Sequence, residues 1–196
     1  EEGSFLVGAL AALVSKTKAV GFVGGMDIPL IHKFEAGFRA CARYIYPDIP
    51  VLVGYAGVTG DAFKNPAKGK ELALAQYGAG ADIIFHAAGT TGLGVFEAAR
   101  ETGRYAIGVD ADQWDEAPGR VLTSMTKVVD VGVFETVRRV RDGKWQGGVL
   151  ELGLKEGGVD YVYDAHNRAR IGDAVHARVE QLRRDIIAGK IQVQDK

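Results

Sequence analysis

The sequence predicts an α/β fold built on a parallel sheet. Two observations carry that expectation. Short apolar runs ending in glycine or aspartate alternate with segments whose apolar residues recur at helical spacing, the pattern of successive βα units. The sharpest unit spans Ala81 to Phe96. Its apolar run, Ile83 to Ala88, ends in Gly89, two more glycines follow at Gly92 and Gly94, and Val95, Ala98 and Ala99 open a helix. In an open parallel sheet, ligands bind outside the carboxyl ends of the strands, where the first N–H groups of each helix lack an intrahelical partner. The turn at Gly89 is therefore the first place to look for a site.

The other elements follow in order. Ser4 is expected to cap a helix from Phe5 to about Lys16, with Leu6, Leu10 and Leu13 on one stripe and small residues at Gly8, Ala9, Ala11 and Ala12. Ala19 to Gly25 reads as a buried strand. Asp27 is either a ligand contact or, the preferred reading, a cap for the helix that Pro29 opens, which runs to about Tyr46 with Leu30, Phe34, Phe38 and Ala42 inward. Val51 to Gly57 is the next strand, and its exit loop, 58–65, carries Asp61 and Phe63. Pro66 opens a helix that Gly78-Ala79-Gly80 closes. Tyr105–Asp110 and Val121–Lys127 read as strands, and a helix from Asp130 to Arg141 ends at Asp142-Gly143. The glycine-rich stretch 147–162 reads as extended segments turning at Gly157-Gly158. A last helix runs from Gly172-Asp173 to about Ala188, with Val175, Val179, Leu182 and Ile186 on one stripe.

Composition narrows the function classes. The 196 residues are 47% apolar and 25% charged, enough for a core in one or two small domains. A net charge of −1 offers no basic surface for nucleic acid. Cys41 stands alone, which excludes an internal disulfide or a cysteine-rich metal site, and it reads as a small buried hydrophobe. No apolar run reaches the roughly 20 residues that span a bilayer. No signal peptide is visible, but the chain opens without Met, so location stays open. The glycines of 89–94 reverse the dinucleotide order, and neither a P-loop, a nucleophile elbow nor a metal-ligand spacing occurs. No cofactor or metal is expected.

Four residues stand out, each with a bland alternative. Asp110 ends a strand on the same edge as Gly89, and its two oxygens can accept from neighbouring sugar hydroxyls; it can equally be a turn carboxylate. Lys127 supplies donors only, to a ring nitrogen, a carbonyl or a phosphate, or it is a solvated lysine. Phe63, in a polar loop, can stack on a planar ring or anchor its loop. Gly89 offers backbone, or allows tight helix–strand packing. Asp112 is a ligand residue or a cap. His86, inside an apolar strand, reads as a satisfied core histidine.

Five stretches in order carry a family likeness: Glu2–Gly8, Val20–Asp27, His86–Val95, Ile107–Gln113 and Leu122–Lys127. Together they resemble the basic membrane protein family, solute-binding lipoproteins of ABC transporters that include a purine nucleoside receptor. The resemblance covers essentially the whole chain. It implies a type I periplasmic-binding-protein fold of two parallel-sheet lobes, with much of the amino-terminal lobe absent from this chain. By that likeness, 1–27 belongs to the amino-terminal lobe and 28–117 to the carboxyl-terminal lobe. Residues 118–145 return to the first lobe, and 146–196 cross the hinge and end in the second. The resemblance further implies that Phe63 stacks on a base, Gly89 offers backbone, Asp110 holds ribose hydroxyls and Lys127 reaches a base acceptor. The implied partners are a purine nucleoside and an ABC permease. The implied location is the periplasm or cell surface, through a lipid anchor absent from this chain. Two competing readings are a small α/β enzyme acting on nucleosides or sugars, with Asp110 and Asp112 as acid and base, and the effector domain of a transcriptional regulator.

Overall fold

A computed structural model of the chain describes residues 1–193. In chain order its main elements are α1 (Glu2–Val14), β1 (Val20–Met26), α2 (Pro29–Ile45), β2 (Val51–Gly57), α3 (Pro66–Gly78), β3 (Ile83–Ala87), α4 (Gly92–Thr102), β4 (Tyr105–Asp110) and β5 (Val121–Lys127). There follow α5 (Val129–Arg141), β6 (Val159–Tyr161), α6 (Arg168–Ile171) and α7 (Asp173–Ile187). The strands form one six-stranded sheet in the order β2-β1-β3-β4-β5-β6, parallel except for β6 at the edge. Parallel strands need crossover connections, and α2, α3 and α4 supply three of them, α3 passing over β1 to join β2 to β3.

Helices cover both faces. In β3, Ile83, Phe85 and Ala87 join the core beneath α1, α2 and α7, while Ile84, with Ala88 just past the strand, joins the core beneath α3 and α4. A strand buried on both faces reads as a continuous apolar run, which is why the runs located the strands. α1 departs from its expected stripe. It is buried on all sides from Gly3 to Ala12, between the sheet, α2 and α7. Ser4 is no cap: the helix starts at Glu2, and the Ser4 hydroxyl is buried without a hydrogen-bond partner. On α2 the buried stripe runs through Ile31, Phe34, Phe38, Cys41 and Ala42, whereas Leu30 is 61% exposed. Asp27 does not cap that helix, whose N-cap is Ile28 with no side-chain bond.

Strand pairing ties the four expected segments together. β1 lies between β2 and β3, and α1 packs on α2, so 1–27 shares one sheet and one core with 28–117. In 118–145, β5 extends the same sheet, its Thr126 opposite Asp110. Only α5 stands away from it, with no buried residue and with Val129, Val133, Phe134 and Val137 exposed. Within 146–193, β6 pairs with β5 and α7 packs on α1, while 147–158 holds no strand. Positions 194–196 of that segment lie outside the described residues. The strands of the described residues thus make one sheet between two helical layers. Among them no helix is long and apolar enough to cross a membrane.

Candidate functional site

The five parallel strands bring their carboxyl ends to one edge. β2 lies on one side of β1 and β3 on the other, so a crevice opens between the ends of β1 and β3, where the strand order reverses. Phe63 sits at this point. It closes a short 3-10 turn, Gly60–Phe63, and its ring packs where Gly25 of β1 has no side chain. A Cβ on Gly25 would overlap the ring, and one on Gly89 would stand 3.1 Å from the Phe63 carbonyl oxygen. Gly89 is exposed and takes φ +55°, a backbone state that glycine adopts without strain. The two turns are laced together. Thr90 Oγ1 donates to the Phe63 carbonyl at 2.8 Å, and Thr91 Oγ1 donates to the Ala62 carbonyl at 2.7 Å while accepting from the Asn65 N–H at 2.8 Å.

Two strands along, Lys127 Nζ lies 3.0 Å from Asp110 Oδ1 and 4.5 Å from the centre of the Phe34 ring. The lysine and aspartate side chains are 38% and 58% exposed, so the pair contributes only about 0–1 kcal/mol to folding. A ligand can separate it at little cost and satisfy both groups at once. The structure therefore joins the expected residues in two pairs, Phe63 with Gly89 and Asp110 with Lys127, on the same sheet edge. Asp112 resolves as a turn residue, its Oδ1 accepting from the Trp114 N–H at 3.0 Å.

His86 is a core histidine, as expected, but it is not satisfied: it is fully buried and neither ring nitrogen has a hydrogen-bond partner. Its ring meets Phe96 edge-on at 5.0 Å and fills the space left by Gly92. Burial lowers its pKa to about 4, with the Gln113 side chain and the Asp110 carboxylate opposing the shift.

Periodicity alone missed a polar cluster at the ends of β1 and β2. His32 Nε2 contacts Asp27 Oδ1 at 2.6 Å, and its ring stands edge-on to Tyr55 at 5.4 Å. The Tyr55 hydroxyl donates to Glu35, which also pairs with Arg39. Burial and that bond to Glu35 push the Tyr55 phenol well up. The i, i+3 spacing of His32 and Glu35 was the available signal.

Comparison with known proteins agrees with this architecture. Residues 1–196 match the family described as ABC transporter substrate-binding protein PnrA-like. The chain is 38% identical over 214 residues to the CD4+ T-cell-stimulating antigen of Listeria monocytogenes, covering 100% of this chain and 57% of that protein. It is 37% identical over 213 residues to the ABC transporter nucleoside-binding protein BmpA of Lactococcus lactis, covering 100% of this chain and 58% of that one. A crystal structure of a solute-binding protein of an ABC transporter system from Aeropyrum pernix superposes with TM-score 0.83 at 26% identity, over 97% of this chain and 63% of that one. A transcriptional activator of the comK gene from Bacillus halodurans shares the fold, with TM-score 0.81 at 23% identity, over 98% of this chain and 64% of that one. The chain thus spans somewhat under three-fifths of the length of these curated relatives, and its sheet and helical layers are those of the type I periplasmic-binding fold. It belongs to the PnrA-like family of ABC transporter substrate-binding proteins.

Proposed function

We propose that this chain forms one wall of the ligand site in the extracytoplasmic binding protein of an ABC importer, and that the ligand is a purine nucleoside. The observation that carries the reading is the pairing of an aromatic platform, Phe63 against Gly89, with a separable donor–acceptor pair, Lys127 and Asp110, on one sheet edge. A nucleoside needs these parts: a flat face for the base, an acceptor for two ribose hydroxyls and a donor for a base nitrogen or carbonyl. The nucleoside-binding name of the Lactococcus lactis relative supports the same class. In this reading Phe63 stacks on the base, the backbone at Gly89 meets the ligand, Asp110 accepts from the ribose and Lys127 donates to the base. A second lobe closes over the ligand from the other side, the loaded receptor docks on a permease, and a lipid anchor holds it at the cell membrane.

Calorimetry of the full-length protein with inosine and guanosine, followed by chromatography of the released ligand, tests this. Binding with the nucleoside recovered intact is the expected result. Release of free base and ribose would make the protein an enzyme, and absence of binding would overturn the nucleoside assignment.

A further inference from the structure

Asp110 has φ +70°, a value that among the described non-glycine residues only Lys18 approaches, at +56°. The Ala111 N–H donates to the Val109 carbonyl at 2.9 Å and closes a three-residue turn around Asp110. A γ-turn with positive φ at its centre is the rarer, strained hand. Strain of this kind persists only where the surroundings over-determine it. Here the surroundings can be named. Gln113 folds back on its own loop, so that its Oε1 accepts from the Val109 N–H at 2.8 Å, and its backbone N–H donates to Ser124 Oγ at 3.0 Å. Ser124 is fully buried on β5, opposite Gly108 in the strand register. A Cβ on Gly108 would stand 2.6 Å from Ser124 Oγ and 2.8 Å from Gln113 Oε1, so both supports occupy space that only glycine leaves. Val109 is thus bonded at its N–H and its carbonyl, and the next residue has little freedom to relax.

We propose that Gln113 is a positioning residue for ligand binding. With Ser124 and the missing side chain of Gly108, it braces the loop 109–113, holds Asp110 in a turn it would otherwise leave, and aims that carboxylate at Lys127 and the ligand hydroxyls. The ligand in this inference rests on the nucleoside reading; the mechanics rest on the turn alone.

Two measurements on the full-length protein separate those parts. The first is a melting cycle without ligand. Asp110→Gly should raise the melting temperature by roughly 2–4 °C with Gln113 in place, by releasing strain. Combined with Gln113→Met, which matches the volume but removes the amide, it should add almost nothing, because an unbraced Asp110 has already relaxed. An equal gain in both backgrounds overturns the brace whatever the ligand is. The second is calorimetry with inosine and hypoxanthine. Gln113→Met should weaken inosine about tenfold, leave hypoxanthine unchanged, and cost nothing further in an Asp110→Ala background. Equal losses for the two ligands, or losses that add to those of Asp110→Ala, would show that Gln113 only supports the fold. If the unaltered protein binds no inosine, the nucleoside reading falls while the melting cycle still judges the brace. Should Gln113→Met not fold, Ser124→Ala removes the second support alone and must give the same pattern at smaller size.

Discussion

Lys127 and Asp110 neutralise each other across 3.0 Å, and each is exposed enough that water competes for it. Removing one member therefore costs little folding stability, whereas a ligand hydroxyl bonded to the carboxylate is charge-assisted and worth roughly 1.5–3 kcal/mol. Asp110→Ala should accordingly weaken inosine roughly tenfold to a hundredfold and leave hypoxanthine, which lacks the hydroxyls, nearly unchanged. Titration calorimetry with both ligands decides; equal losses would assign Asp110 to supporting the loop. At this scale part of the site could be read from the chain alone. Phe63, Gly89, Asp110 and Lys127 all follow apolar runs that ended where β2, β3, β4 and β5 end. Phe34 could not be read the same way, because helical periodicity marks it as core, and it is core, while its ring also faces the Lys127 ammonium. Gln113 was silent for another reason: a side chain that folds back on its own loop leaves no spacing to find.

Helices on this sheet approach closely because glycines stand at their contacts. Gly8 of α1 faces the carbonyl of Phe38 on α2, and a Cβ at that position would penetrate the oxygen. Gly8→Ala sets two effects against each other. Alanine gains about 1 kcal/mol of helix propensity over glycine. The collision, however, is with backbone, so one helix must move, and overpacking of that kind costs typically 1–3 kcal/mol. A net loss of stability is expected in urea unfolding, and an unchanged or raised midpoint would show slack between α1 and α2. The same contact explains what the pattern of α1 could not convey. A helix wrapped by a sheet and two other helices has no polar face, so a single leucine stripe understates its burial. Strands and the helices α2, α3 and α7 were legible to within a residue or two, because Pro29, Pro66 and Gly172 mark their starts and apolar runs mark the strands. The stretch 147–158 misled, since scattered leucines among glycines resemble a strand without having a ladder partner.

Strand order was the least legible feature, because it depends on contacts far apart in sequence. Nothing local to Val20–Met26 reveals that Val51–Gly57 and Ile83–Ala87 flank it. Stability of the whole sheet also carries a pH dependence that a single buried group makes visible. His86 sits on the central strand β3, fully buried, and burial lowers its pKa from the ordinary 6.5 to about 4. Between those values the unfolded chain binds a proton at this histidine and the folded chain does not, so stability falls as pH falls. The contribution is intact above pH 6.5, declines from there to about pH 4, and then levels off; the full loss is roughly 3 kcal/mol at 1.36 kcal/mol per unit. His86→Leu removes the titrating group from both states. Any packing cost of the substitution displaces its stability curve by a constant, whereas the missing proton changes the slope. Urea unfolding at intervals from pH 7 to pH 4 should therefore show a steeper fall for the parent protein, with the variant losing roughly 3 kcal/mol less across the range. Parallel curves would mean that the His86 imidazole takes up its proton without opening the core.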